Sequence, residues 1–191
     1  MLMTEEQRDQ LAKMVTAPYM ALATMAICKA RKISGNQFRH QAMSRIILID
    51  YGFMDGILHK AALIHDLVED LEDFNHQLII DCDEDGPRVY KLVLEVSRRP
   101  GESKTDFLKR IYIEGSDNAC LIKAADRIAN LSDCQFLMEK SFIARLCEES
   151  ERYVIPIAER VCKDMVTEIA DLIAHARKVL SALEQFSPGE E

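Results

Sequence analysis

Apolar positions recur along this chain at intervals of three and four, the spacing that places them on one face of an α-helix. No recurring alternation marks β-strands. Thr4 followed by Glu5, Glu6 and Gln7 has the form of a capping box and opens the first stripe, Leu11, Met14, Val15, Tyr19, Leu22 and Met25. Pro18 falls inside that stripe, so the segment is either kinked or is two helices meeting near Thr16 and Ala17. The pattern runs to about Ala30, where Ser34-Gly35-Asn36 interrupts it. A second helix is expected from Arg39 to about Tyr51, with Met43, Ile46, Ile47 and Ile49 inward and Gly52 closing it. A third is expected from Met54 to Asp70.

Beyond it the pattern predicts a short helix over Phe74 to Ile80, an acidic turn, and a helix entered through Pro87 and ending near Val96. The segment SRRPGESKTDFLKR reads as a mobile loop leading into a helix from Ser103 to Gly115. A further helix spans Asp117 to about Phe136, with Leu121, Ile122, Ala125, Ile128, Ala129 and Leu131 as its inner stripe. Two long amphipathic helices fill Ser141 to Phe186, broken near Val161–Lys163, and Pro156 kinks the first or resets its start. The expectation is an all-α single domain over residues 1–186 with a frayed tail at 187–191.

One stretch departs from plain amphipathicity. Ala61 to Asp73 (AALIHDLVEDLED) opens on an apolar face and then delivers His65, Asp66, Glu69 and Asp70. On a continuous helix His65 and Glu69 lie one turn apart, and Asp66 and Asp70 form a second such pair beside them. Carboxylates held near a core need a counter-ion, and a divalent metal supplies one directly. An adjacent His-Asp pair is, by itself, more often a surface pair than a ligand pair. His40, in the first turn of its helix, is read as structural or as a ligand, and His59 as a non-ligand because it falls on another face. Asp126 sits among Ala124, Ala125 and Ile128, with Asn130 one turn later; alone it fits a salt bridge to Lys123 or Arg127 as well as a metal.

Charge and composition narrow the field. The 191 residues suffice for a full core, and 48% hydrophobic with 29% charged residues is ordinary for a globular protein. A net charge of −8 argues against a general nucleic-acid-binding surface and against an anionic-membrane binder. The six cysteines form no C-x-x-C pair and read as small core hydrophobes. The polar, acidic opening MLMTEEQRDQ is unlike a signal peptide, which sets the expectation of a cytoplasmic protein. The run Asp81, Asp83, Glu84, Asp85 lacks the spacing of a calcium loop and reads as a solvated turn. Lys29, Arg31 and Lys32 crowd a helix end, and Arg98, Arg99, Lys104, Lys109 and Arg110 crowd the basic loop. Each group is either a solvated face or an anion-binding lip, and charge alone does not choose.

Together these signals resemble a known family. His40, His65-Asp66 and Asp126 have the order and setting of the metal ligands of HD-domain phosphohydrolases. The segments RKISGNQFRH, AALIHDLVED and LIKAADRIANL resemble the hydrolase domain of the RelA/SpoT family, especially its single-domain small alarmone hydrolases. The resemblance covers roughly Ala30 to Asp133 and leaves no room for a synthetase domain. It implies an HD-domain helical bundle holding one Mn²⁺, other divalent metals being compatible, through His40, His65, Asp66 and Asp126. It implies that Glu69 and Asp70 position and activate the attacking water, that Arg31 and Lys32 embrace the nucleotide, and that Asn130 meets its sugar–phosphate part. Arg98 falls near a family lysine that meets the pyrophosphate. The family reaction removes pyrophosphate from the 3′ position of guanosine 3′,5′-bis(diphosphate), ppGpp. The implied partner is this small nucleotide, not nucleic acid or membrane, and homo-oligomerisation stays open.

The chain departs from the family pattern in four places. Gln41 follows His40 where Pro is common, Leu71 follows Glu69-Asp70 where Thr is common, Ser132-Asp133 follows the Asn130 segment, and Phe38 stands where a Tyr-Ile pair is common. The metal and base positions are spared, while the guanine preference is left open. An adenosine alarmone or NADPH as substrate, and a non-catalytic HD regulatory module, stand as alternatives.

Overall fold

A computed structural model describes residues 3–26, 36–71, 73–133 and 139–185. Among these the secondary structure is helical, with no strand. Thr4 accepts the Gln7 N–H while the Gln7 side chain accepts the Thr4 N–H, completing the capping box that starts α1 (Glu5–Lys13). The two-helix alternative is the one realised at Pro18. It sits in the first turn of α2 (Ala17–Ala23), which a 3₁₀ turn, Thr24–Ala26, extends.

α3 (Gln37–Asp50) starts two residues before the expected Arg39, because the Asn36 side chain caps it by accepting the Arg39 N–H. It ends in a Schellman motif. Gly52 takes φ +78°, its N–H reaches the Ile49 carbonyl, and the Phe53 N–H reaches that of Leu48. The expected inner face of α3 is corrected. Met43 and Ile46 are 43% and 46% exposed, whereas Gln37, His40, Gln41, Ser44, Ile47 and Leu48 are buried. Ile47 is buried as expected, but the face that packs on the protein centre is mostly polar, so hydropathy placed Met43 and Ile46 on the wrong side.

The expected helix from Met54 to Asp70 is also corrected. Asp55 caps α4 (Gly56–Ile64), which stops at His65, and a separate turn, α5 (Leu67–Asp70), follows. The short helix α6 spans Gln77–Ile80, and α7 runs from Gly86 to Val96 with Pro87 in its first turn. The acidic turn before α7 is not simply solvated. Lys60 on α4 donates to both Asp83 and Asp85 at 2.7 Å, and Tyr19 donates to Asp83 at 2.6 Å. Two carboxylates thereby neutralise a lysine that is itself buried.

Ser103 and Ser116 cap α8 (Lys104–Glu114) and α9 (Asp117–Ser132). The expected continuation of α9 to Phe136 runs into residues 134–138, outside those described. α10 (Lys140–Glu149) passes through a π-helical turn, Ser150–Val154, into α11 (Ile155–Glu159), which carries Pro156 in its first turn. The break near Val161–Lys163 precedes the long α12 (Lys163–Gln185).

α9 is the centre of the bundle. Its buried positions run almost continuously from Ala119 to Ala129, as expected of a helix surrounded by others. α3, α7, α11 and α12 all pack against it. α3 packs along α9, and His40 meets Asp126 across that contact. Cys120 and Cys147 are buried free thiols, in line with the core reading, while Cys28 and Cys134 lie outside the described residues. Among the described residues no helix is long and apolar enough to cross a membrane.

Candidate active site

Three elements deliver a cluster of two imidazoles and two carboxylates. α3 brings His40, the α4–α5 junction brings His65 and Asp66, and α9 brings Asp126. One ligand atom each of His40, His65 and Asp126 lies within 4.8 Å of the others, and all three residues are buried. His40 Nε2 is 2.9 Å from Asp126 Oδ1, and His65 Nε2 is 3.9 Å from the same oxygen. Asp66 Oδ2 closes the group on the open side, 3.2 Å from His65 Nε2 and 3.7 Å from His40 Nε2.

The helix break explains how neighbours in sequence converge. On an unbroken helix His65 and Asp66 would point about 100° apart. At the junction Asp66 takes φ −99° and ψ −6°, and its carboxylate makes no capping hydrogen bond to α5, so it is left for the cluster. Gln37, one turn before His40, donates its amide to Asp66 Oδ2 and orients it. Asn130 donates to Asp126 Oδ1 at 2.6 Å, and Lys123 donates to Asp126 Oδ2 at 2.5 Å.

The tautomer of His65 follows from its other nitrogen. Nδ1 lies 2.8 Å from the Ala62 carbonyl, so it carries a proton. Nε2 is buried and makes no hydrogen bond among the described residues, while facing two carboxylates. An imidazole fixed by a carbonyl behind it, with its second nitrogen turned toward carboxylates, is the arrangement metal-ligating histidines adopt. Burial opposes charge on His65, but Asp66 and then Asp126 outweigh it and raise the imidazole to about 9. Burial likewise opposes charge on Asp126, yet Lys123 and His40 hold its carboxyl well below the ordinary range. Asp66 is lowered too, burial being overcome by His65. The cluster therefore favours positive charge at its centre, and its N₂O₂ donor set without thiolate suits a borderline-hard divalent cation.

The cluster forms the floor of a cleft of about 300 Å³. Glu69 and Asp70 stand on its wall one turn beyond Asp66, and Arg98, Lys104, Lys123 and Asn130 face it from α7's end, α8 and α9. Arg98 donates its backbone N–H to Glu69 Oε2 at 3.1 Å, and its guanidinium lies 3.5 Å from Glu69 Oε1. Glu149 holds Lys104 at 2.8 Å, while burial pushes the Lys104 ammonium down.

The basic loop that carries Arg98, expected to be mobile, is tied by Arg110. Arg110 donates to Glu102 through Nε at 2.8 Å and Nη2 at 3.0 Å, and to the Glu95 and Ser97 carbonyls at 3.0 and 2.8 Å. One guanidinium thus staples both ends of the loop. It also pulls the Glu102 carboxyl down to about 2.

This architecture recurs in a known protein. The chain superposes on the solved structure of a metazoan ortholog of SpoT that hydrolyzes ppGpp and plays a role in starvation responses. The TM-score is 0.69 and the identity 21%, over 84% of this chain and 96% of that one. The two share a fold. It is the all-α HD-domain bundle. No family model and no curated protein sequence matches the chain.

Most of the residues singled out from sequence meet in this cleft. His40, Asp66 and Asp126 line its floor with His65 buried against Asp66, Glu69 and Asp70 stand beside them, and Arg98 and Asn130 line it. Asn130 turns its amide to Asp126. His59, read as a non-ligand, is buried elsewhere with Nε2 2.6 Å from the Phe53 carbonyl. Arg31 and Lys32 lie outside the described residues. Sequence reading missed Gln37 and missed Lys123 as a cleft residue. Gln37 sits one turn before His40 on the same face, a spacing that could have flagged it.

Proposed function

We propose that this protein is a metal-dependent phosphohydrolase that removes pyrophosphate from the 3′ position of ppGpp or a related alarmone. The observation that carries this reading is the convergence of His40, His65, Asp66 and Asp126 beneath a cation-rimmed cleft, with Glu69 and Asp70 one turn away. The shared fold with a protein described as hydrolyzing ppGpp supports it.

The donor set fits Mn²⁺, held by His40, His65, Asp66 and Asp126. When bound, the ion lowers the pKa of water and polarises the 3′ phosphoryl group. Asp70 takes the proton of the attacking water as general base, and Glu69, fixed by Arg98, orients that water. Arg98, Lys104 and Lys123 neutralise diphosphate charge as it shifts toward the leaving group. Arg31 and Lys32 complete the grip on the nucleotide, with Asn130 steadying Asp126 behind the reacting centre.

Ser132 and Asp133 favour a second reading of the substrate's base. Asp133 pairs with Arg39 at 3.4 Å and puts a carboxylate where the family pattern has none, which favours testing an adenosine alarmone and NADPH beside ppGpp. The test is product analysis of Mn²⁺-loaded protein with guanosine and adenosine 3′,5′-bis(diphosphates) and NADPH. Pyrophosphate from the guanosine compound is the expected result. Phosphate from NADPH alone moves the reading to another nucleotide hydrolase, and metal-loaded protein inert toward all three favours a regulatory module.

A further inference from the structure

A second cavity, larger than the cleft, lies on the far side of Arg98. Its volume is about 580 Å³, within the range of small-molecule pockets. Val68, Leu94 and Pro100 give it an apolar lining, and Lys91, Arg98, Arg99 and Arg110 bring cations to it that outnumber the carboxylates of Glu95 and Glu114. Lys91 makes no hydrogen bond or ion pair among the described residues. One wall is built in advance, because the Arg110 staple fixes the loop from Ser97 to Glu102 that carries Arg98, Arg99 and Pro100. A pre-formed apolar cavity with cations beside it suits a ligand with a flat apolar body and an anionic group.

We infer that this cavity is a second ligand site, taking an aromatic organic anion, and that its occupancy is coupled to the cleft through Arg98 and Val68. The coupling has a structural path. Arg98 lines both cavities and holds Glu69 by backbone and side chain. Val68 lines the second cavity and immediately precedes Glu69 on the four-residue helix α5. A ligand anion that draws the Arg98 guanidinium competes with Glu69 for it. By linkage, loss of the Glu69 charge frees Arg98 and strengthens binding in the second cavity. The site itself does not depend on the proposed reaction, so its test reads binding and not turnover.

The probe is 1-anilinonaphthalene-8-sulfonate, an aromatic sulfonate, titrated by fluorescence and calorimetry into the folded, Mn²⁺-loaded full chain. One saturable site is expected. Leu94→Glu, a change at a partly exposed position, and Arg99→Glu each place a carboxylate at the cavity and should weaken binding at least about tenfold. Glu69→Gln should tighten it two- to fivefold, about 0.4–1 kcal/mol. No saturable binding, or equal binding by wild type, Leu94→Glu and Arg99→Glu, overturns the site. Equal binding by wild type and Glu69→Gln overturns the coupling.

Discussion

His65 turns its Nδ1 to the carbonyl of Ala62, three residues back, at 2.8 Å, and so presents Nε2 to the carboxylates of Asp66 and Asp126. The contact sets both the tautomer and the direction of the ring. It also makes the site's chemistry testable without a substrate.

His65→Ala and Asp66→Ala should each abolish stoichiometric metal content, measured by elemental analysis of protein purified in Mn²⁺, while far-ultraviolet dichroism stays helical. Each variant removes one of four donors and leaves the remaining charges mismatched. A variant that keeps one ion per chain contradicts the ligand assignment.

The raised His65 value carries a signed pH dependence. In the metal-free protein the imidazole holds its proton up to about pH 9, whereas the unfolded chain loses it near 6.5. The folded state binds more protons across that window. This contribution is therefore complete below 6.5 and is lost as pH rises through 9, by up to about 3 kcal/mol. Metal binding displaces the same proton, so affinity should rise about tenfold per pH unit below 9. Melting temperatures with and without metal should diverge as pH is raised from 6.5 to 9; parallel curves would refute this.

Gln37 offers a test of an uncharged residue to which the family resemblance assigned no role. Its amide orients Asp66, so Gln37→Met should weaken metal binding by about 10- to 100-fold with the fold intact. Competition with a fluorescent chelator measures it. Unchanged affinity would mean that Asp66 needs no such support.

Asp70→Ala should keep the metal and lose turnover by about 10²- to 10⁴-fold, the range for removing a general base. Metal content and rate, measured on the same sample, separate the two effects. Equal activity would remove Asp70 from its role.

Arg110 ties the loop rather than meeting substrate. Arg110→Gln should destabilise the fold by about 2–3 kcal/mol in urea unfolding, because charge-assisted hydrogen bonds are lost and Glu102 is left without its partner. A change below about 0.5 kcal/mol would mean the loop is held by other contacts.

Local signals were legible in the chain. The Thr4 box, the Pro87 start, the Gly52 stop and the alanine-rich stripe of α9 depend on residues within a few positions of one another, and each appears in the structure near where it was read. The motif residues converge because α3 and α9 pack closely, which the resemblance implied and periodicity did not. Three features stayed hidden for physical reasons. The break at His65–Asp66 leaves the apolar spacing intact, so no periodicity marks it. The buried face of α3 carries Gln37, His40, Gln41 and Ser44 beside Ile47 and Leu48, and hydropathy points to Met43 and Ile46 as well. Lys60 meets Asp83 and Asp85 across more than 20 residues of chain, so the acidic turn looked solvated.

Following ppGpp hydrolysis by the Mn²⁺-loaded protein in ¹⁸O-enriched water with phosphorus NMR decides whether the cleft carries out this reaction. The expected products are pyrophosphate carrying the heavy oxygen and guanosine 5′-diphosphate with a free 3′ hydroxyl and no label. Release of inorganic phosphate in place of pyrophosphate, or no turnover by protein that holds its metal, would contradict the proposed function.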